Sequence, residues 1–405
     1  MTTRIHLGLS TCPNDTYLAH ALLTGAIETP GIEFDIELLD VQTLNERLAK
    51  GHFDVAKASY HLALRMADEL VVLPTGSALG FGNGPLLLAR GELTGTLPGP
   101  GSKVLCPGED TTATLLYRMF HPDGAEPKQV VFSDIMPALL AGKADFGVCI
   151  HEGRFTYEES GLVCVEDLGA SWEGSATCPL PLGGLFARRG LEERTMDAVQ
   201  SALHASLLYA DSHRDETLPT MLANAQELEE SVVWSHVDLY VNGWTRRLGP
   251  QGKRAIQRLA QRAQAAGALP AGTRLEIFEP LHQRRTFHLV PEGLITTFEA
   301  ASAREELTFE PPAYADEGFI HLSQAAQLAG TLDLHFAGVD RVLLVELETA
   351  TLGPSLKWEP SRAGALFPHL YRPLCPTEDV IGTWLLSRSA EGTLDVPSDV
   401  LAPPE

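Results

Sequence analysis

Along the first 275 residues, short apolar runs of strand length alternate with stretches of helix length, and this alternation most limits what the chain can become. Strands are expected at Ile5–Leu9, Glu33–Leu39, Asp54–Ala58, Lys103–Cys106, Val130–Phe132 and Phe146–Ile150. Helices are expected at Asp15–Leu23, Val41–Lys50, Tyr60–Met66, Thr112–Phe120 and Ile135–Ala141. Such an order predicts an α/β fold with a largely parallel sheet covered on both faces, and its site at the carboxyl ends of the strands. The order also repeats weakly. Gly51-His-Phe-Asp54 and Gly142-Lys-Ala-Asp145 each stand between a helix and a strand that ends in a polar residue, Ser59 in one copy and His151 in the other. A Gly there ends the helix and an Asp starts the tight turn. Two such units with a ligand between them would place four loops around one cleft: Ser10–Asp15, Lys57–Ser59, Thr111–Thr112 and Ile150–His151.

The pattern changes after Ala255–Leu269, an amphipathic helix rich in Ala, Gln and Arg. Pro270–Pro280 reads as a linker, and beyond it come short strands and many prolines, ending in a Pro-rich tail expected to fray. A chain of 405 residues fits two or three domains, and 44% hydrophobic residues can build their cores. A net charge of −23, spread over both parts, argues against a surface that grips nucleic acid or anionic membrane. It leaves room for a small anion held by local N–H groups. No apolar run approaches the ~20 residues of a membrane span, and the N-terminal segment lacks the pattern of a signal peptide, so a cytoplasmic protein is expected. Six cysteines without a Cys-x-x-Cys pair form neither a disulfide framework nor a zinc motif. Cys149 is expected to be a buried thiol rather than a metal ligand.

Among candidate sites, Gly80-Phe-Gly-Asn-Gly-Pro85 looks like a phosphate loop, but a strand follows it where a helix would have to open. It is read as a turn or hinge. Thr11–Asp15 ends a strand and opens a helix, where caps or N–H groups for a carboxylate belong. Cys12 would need a positive or His-paired setting to act as a nucleophile, and nothing nearby in sequence supplies one. His151 is the sharper candidate: it follows an apolar strand, and an imidazole with a pKa of ~6.5 accepts a proton near neutrality. Ser59 and Thr112 offer hydroxyls and neighbouring N–H groups, or else they cap the helices that follow them.

These residues belong to a longer set of motifs: Ser10-Thr-Cys-Pro-Asn-Asp-Thr16, Lys57-Ala-Ser-Tyr60, Gly76-Ser-Ala-Leu-Gly80, Gly84-Pro85, Pro107-Gly-Glu-Asp-Thr-Thr-Ala113, His151-Glu-Gly-Arg-Phe-Thr-Tyr157, Pro179-Leu-Pro-Leu-Gly183 and Trp234-Ser-His-Val-Asp-Leu-Tyr-Val-Asn242. In that order, residues 5–275 resemble the 1,4-dihydroxy-6-naphthoate synthases of the futalosine route to menaquinone. The resemblance implies a two-lobed, periplasmic-binding-protein-like α/β domain over 1–278, with lobe 1 at about 1–96 and 184–278 and lobe 2 at about 97–183. It also implies a lyase that cleaves cyclic dehypoxanthine futalosine to 1,4-dihydroxy-6-naphthoate and dihydroxyacetone, with neither metal nor organic cofactor. His151 falls on the family's proton acceptor. Lys57, Ala58, Ser59, Thr112 and Ala113 fall on its substrate-binding positions.

The remaining chain lies outside that family. Phe287-His-Leu-Val290, Tyr314–Ser323, Leu356-Lys-Trp-Glu-Pro360 and Phe367-Pro-His-Leu-Tyr371 resemble a small uncharacterised bacterial family grouped with ADP-ribosyltransferase-like folds. An α+β domain over 281–395 and a tail over 396–405 are expected. The grouping implies a nucleotide cleft lined by His288, His321, Ser323 and Glu359; a metal site from His288, His321 and His369 has no spacing to support it. The alternative function is a non-catalytic binder of small carboxylates with the same two-lobed fold, its C-terminal domain an interaction or nucleotide-binding module.

Overall fold

The structure, a computed structural model, describes residues 2–151, 153–225, 229–280, 285–304, 307–361, 365–389 and 392–401. Glu152 of the His151–Tyr157 motif, the expected domain start at 281 and the last four residues of the expected tail lie outside the described residues. The chain divides into two compact units, Met1–Phe278 and Glu279–Glu405.

Unit one contains β1 (Thr3–Ser10), β2 (Ile32–Leu39), β3 (Val55–Ser59), β4 (Leu70–Val72), β5 (Ala78–Gly80), β6 (Leu86–Arg90), β7 (Val104–Cys106), β8 (Lys128–Gln129), β9 (Phe146–Cys149), β10 (Leu162–Asp167), β11 (Leu180–Arg188) and β12 (Glu276–Ile277). They form two sheets. One has the order β12-β4-β11-β3-β1-β2, with β5 also on β11; the other runs β10-β6-β9-β7-β8. Parallel pairing holds where the strand–helix alternation is read most easily, in β1 with β2 and β3 and in β7 with β8 and β9. The strands next to the crossings are antiparallel: β11 to β3, β4 and β5, and β6 to β9 and β10. The sheets are therefore mixed, not largely parallel.

The first sheet is covered on both faces. In β11, Leu185 and Ala187 point into one core while Phe186 points into the other, and all three are buried. The chain changes sheets between β5 and β6, at the Gly-rich turn, and returns between residues 177 and 180. Both crossings come earlier than the expected Leu97 and Gly183, because β6 pairs with β9 in the second sheet and β11 begins in the first at Leu180. The expected strand at Val130–Phe132 is replaced by β8 and a 3₁₀ turn at Phe132–Asp134.

The two Gly-x-x-Asp turns are built alike. Gly51 and Gly142 have φ of 80° and 66°, which favours glycine. After each, the Asp carboxylate accepts an N–H from the neighbouring parallel segment, Asp54 from His6 at 2.9 Å and Asp145 from Lys103 at 2.8 Å. The Asp N–H groups donate back to the carbonyls of the same two residues. Each turn thus clamps one strand to its parallel neighbour and fixes how far the strand carries its last residues. The linker expected at Pro270–Pro280 is not free: β12 pairs with β4, and Phe278 is buried in a core of unit one.

Unit two contains β13 (Thr286–Pro291), β14 (Ile320–His321), β15 (Ser323–Gln324), β16 (Arg341–Leu347), β17 (Leu356–Pro360), β18 (Leu366–Leu370) and β19 (Val380–Ser387). They form an antiparallel sheet β15-β13-β16-β19 and a smaller one, β14-β18-β17. Along β16, Leu343, Val345 and Leu347 meet the helix Glu292–Ser302, and Val342 and Leu344 meet the helix Leu328–His335. This is the α+β organisation expected. The tail does not fray over its described part: Val400 is fully buried in a core, and its carbonyl accepts a hydrogen bond from Arg285 at 2.9 Å.

Candidate active site

A cleft of about 730 Å³ opens in unit one and draws its walls from both sheets. All four anticipated loops reach it: Ser10, Asn14 and Asp15; Lys57, Ala58 and Ser59; Thr111, Thr112 and Ala113; and Ile150 with His151. His151, Lys57, Ala58, Ser59, Thr112 and Ala113 therefore line one cavity, at the carboxyl ends of β1, β3 and β9 and at the start of the helix Thr112–Phe120.

The floor is a buried polar network. Lys57 is held by Asp15 Oδ1 at 2.5 Å and by the Gly76 carbonyl at 3.0 Å, so two of its three ammonium hydrogens are spent inside the protein. The other Asp15 oxygen accepts the Ser10 hydroxyl at 2.6 Å. Asn14 donates its amide to Asp15 Oδ1 at 2.8 Å and accepts from His236 Nε2 at 2.9 Å. Burial is the largest influence on His236 and pushes its pKa well below the ordinary histidine value, with the charges of His151 and Lys57 acting in the same direction. Hence His236 is neutral, its proton sits on Nε2, and it orients Asn14.

His151 lies beside this floor. Its φ of 58° is left-handed, one of two such values among the described non-glycine residues, and a side chain in that conformation costs about 1–3 kcal/mol. The turn swings the ring off the end of β9 to within 3.3 Å of the Cys12 sulfur, measured to Nδ1. Phe132 packs edge-on at 4.9 Å between centroids, and His236 lies nearly parallel at 6.4 Å. Cys12 thus has the histidine partner that its sequence neighbours did not offer. Cys149 is a buried thiol, as expected.

Neither hydroxyl caps the helix that follows it. Ser59 precedes the helix Tyr60–Arg65 without bonding its N–H groups; it is gripped instead by Asn45, whose amide donates to Ser59 Oγ at 3.1 Å and whose carbonyl accepts the Ser59 N–H at 3.0 Å. Ser59 Oγ keeps its own proton to donate. The cap of the helix Thr112–Phe120 is Thr111, which accepts the Thr114 N–H at 3.2 Å. Thr112 gives its proton to the Leu182 carbonyl at 2.7 Å and accepts the His61 N–H at 3.4 Å.

Two residues with no assigned part also line the cleft. Arg154 reaches the Gly84 carbonyl at 2.6 Å and Asp167 at 2.7 Å, and Tyr240 donates to the Asn83 carbonyl at 3.2 Å. Both hold the crossing turn. Their signal was present in the sequence, since Arg154 sits in the His151 motif and His236 and Tyr240 in the Trp234–Asn242 motif. The crossing itself depends on absent side chains: a Cβ on Gly84 would lie 2.3 Å from the Gly169 Cα.

Comparison with known proteins adds a consistent set of similarities. A family profile described as "Menaquinone biosynthesis" matches residues 5–265, and one described as "Protein of unknown function (DUF952)" matches residues 294–383. A 1,4-dihydroxy-6-naphthoate synthase of Thermus thermophilus is 42% identical over 263 residues, covering 65% of this chain and 95% of that protein. One from Streptomyces coelicolor is 38% identical over 273 residues, covering 66% and 95%. Among solved structures, protein AF1704 of Archaeoglobus fulgidus superposes with a TM-score of 0.60 and 29% identity over 66% of this chain and 98% of that one. The alkanesulfonate-binding protein SsuA of Xanthomonas axonopodis shares the fold at a TM-score of 0.51 and 16% identity, over 67% and 96%. The fold of unit one is periplasmic-binding-protein-like. No helix among the described residues is long and apolar enough to cross a membrane.

Proposed function

The chain belongs to the menaquinone-biosynthesis family, an enzyme family in its curated members, and from that premise we propose that unit one is a cytoplasmic carbon–carbon lyase with His151 as its general base. The substrate in this reading is cyclic dehypoxanthine futalosine, and the products are 1,4-dihydroxy-6-naphthoate and dihydroxyacetone. The observation that carries it is the His151 imidazole, placed by a left-handed turn in the wall of the cleft beside Cys12 and above the Asp15–Lys57 floor.

The chemistry follows from the groups present. His151 takes a proton from a hydroxyl of the sugar-derived part. A carbonyl forms there as the adjacent carbon–carbon bond breaks, and the electron pair passes into the ring system, which ends aromatic. Donors are needed where negative charge develops. Ser59 Oγ and the remaining hydrogen of Lys57 are such donors, while the remaining lone pair of Thr112 accepts a substrate hydroxyl; Ala58 and Ala113 keep the walls between them narrow. The crossings at Gly84 and Thr177 are the two places about which the lobes would close to exclude water.

Incubating the purified chain with cyclic dehypoxanthine futalosine tests this reading. Equimolar naphthoate and dihydroxyacetone are expected, with no added metal or cofactor. Binding of the compound without turnover would instead favour the non-catalytic binder that the shared fold with SsuA also fits.

A further inference from the structure

We propose that unit two carries a second small-molecule site, a cavity lined by His288, Ser323 and His369, which takes an uncharged planar aromatic molecule bearing a hydroxyl donor. The cavity measures about 1500 Å³ and lies wholly within residues 287–369.

Its buried histidine, His288, presents an acceptor. His288 Nδ1 is 3.0 Å from the His321 carbonyl, which only accepts, so the proton sits on Nδ1 and Nε2 presents a lone pair. The His288 side chain is buried, and Nε2 has no hydrogen-bond partner in the protein. A buried acceptor left so is costly, and a ligand donor would satisfy it. His369 is fixed from the same side: Nδ1 faces Glu359 at 2.8 Å, and Tyr371 donates to the same carboxylate oxygen at 2.8 Å. Those two hydrogen bonds hold the Glu359 carboxyl below its ordinary value, so its oxygen accepts from His369 Nδ1.

The walls choose the ligand's shape and charge. Phe319 leans on His369 at 4.4 Å between centroids, and Phe336 and Phe367 add apolar lining. Among the described residues, no Lys or Arg lines it, and Glu317 does. The described walls thus offer a nucleotide's phosphates a carboxylate and no Lys or Arg, and they favour an uncharged ligand over the nucleotide expected from sequence. A metal is disfavoured as well. Among the described residues, the group of ligand atoms close enough to share an ion is His6, Glu37 and His52 in unit one; the three histidines of unit two do not converge in that way.

The proposal concerns unit two alone and stands whether or not unit one is a lyase. The test uses the full chain labelled with ¹⁵N-histidine at pH 7.5, titrated with 1-naphthol, 1-methoxynaphthalene and 1-naphthoate. The His288 signals are assigned by their loss in His288→Phe. Naphthol is expected to bind about tenfold or more tightly than its methyl ether, and naphthoate more weakly than naphthol. Only naphthol should move the His288 Nε2 resonance in the direction of a hydrogen-bonded nitrogen, and in His288→Phe the preference for naphthol over the ether should vanish. Equal binding of naphthol and ether, saturation that leaves His288 Nε2 unmoved, or no saturable binding would each overturn the proposal. The shift in the unmutated chain decides the matter even if the variant fails to fold.

Discussion

The sulfur of Cys12 lies 3.3 Å from Nδ1 of His151, across 139 positions of sequence and from the opposite sheet of the same unit. The sulfur also lies 3.9 Å from Nε2, so the contact fixes the ring about its Cα–Cβ bond. Cys12 is in this account a positioning residue. Cys12→Ala should lower kcat about tenfold, the worth of one hydrogen bond, while KM stays within about twofold. Cys12→Ser, which keeps a group able to contact Nδ1, should recover most of the rate. A loss as deep as that of the histidine variant would make the thiol a participant in the chemistry.

Asp15 and Lys57 form a buried pair, with side chains 4% and 8% exposed. Removing one partner strands the other's charge, so Lys57→Met or Asp15→Asn should each cost about 3–5 kcal/mol. The double variant should be more stable than Lys57→Met alone, since no charge is then left over, yet it should still bind substrate poorly. Urea midpoints for the four proteins measure both effects. Simple additivity of the two losses would mean that the pair does not act as a unit.

The Gly84–Gly169 contact sets the geometry of the first crossing. Gly84→Ala places a methyl 2.3 Å from backbone, which cannot rotate away as a side chain would. A cost of about 1–3 kcal/mol or more is expected, with a rise in KM because Pro85 and Arg154 shift with the turn. Gly82→Ala is a control for removing a glycine from the same turn: it has open space around it, and its φ of 67° makes its cost a backbone matter alone.

Acid should loosen unit two through His288. Burial holds its pKa down to about 4; the bond to the His321 carbonyl opposes this, and the His321 charge adds to it. In the unfolded chain the value returns to ~6.5. The unfolded state therefore binds more protons between those values, so stability is full above about pH 6.5 and falls as the pH drops toward 4, by about 3 kcal/mol from this residue. Denaturant titration from pH 7 to 4 should show a shallower loss for His288→Phe than for the unaltered chain. Parallel slopes would contradict the assignment.

How far the sequence reaches is clearest at particular residues. Gly51 and Asp54, and Gly142 and Asp145, are legible because their constraints are local: a left-handed residue and a carboxylate one turn later. The four loops follow from the same repeat, and each reaches the cleft. The Cys12–His151 and Asn14–His236 contacts are not legible, since they join residues 139 and 222 positions apart and no periodicity encodes such a distance. Placement of β6 and β11 was missed for a related reason. An apolar run fixes that a strand exists, but which sheet it joins depends on the crossing turn, whose close backbone contacts leave no pattern beyond the glycines. Likewise, Ser59 and Thr112 look like caps by position, and only their partners Asn45 and Leu182 show otherwise.

The most direct measurement of the central claim is single-turnover cleavage of cyclic dehypoxanthine futalosine by the full chain and by its His151→Ala variant, with substrate affinity measured in parallel. The account predicts that the variant binds within a fewfold of the unaltered chain while naphthoate formation falls by about 10²–10⁴, the usual contribution of a positioned base. Turnover within a fewfold of normal would contradict it.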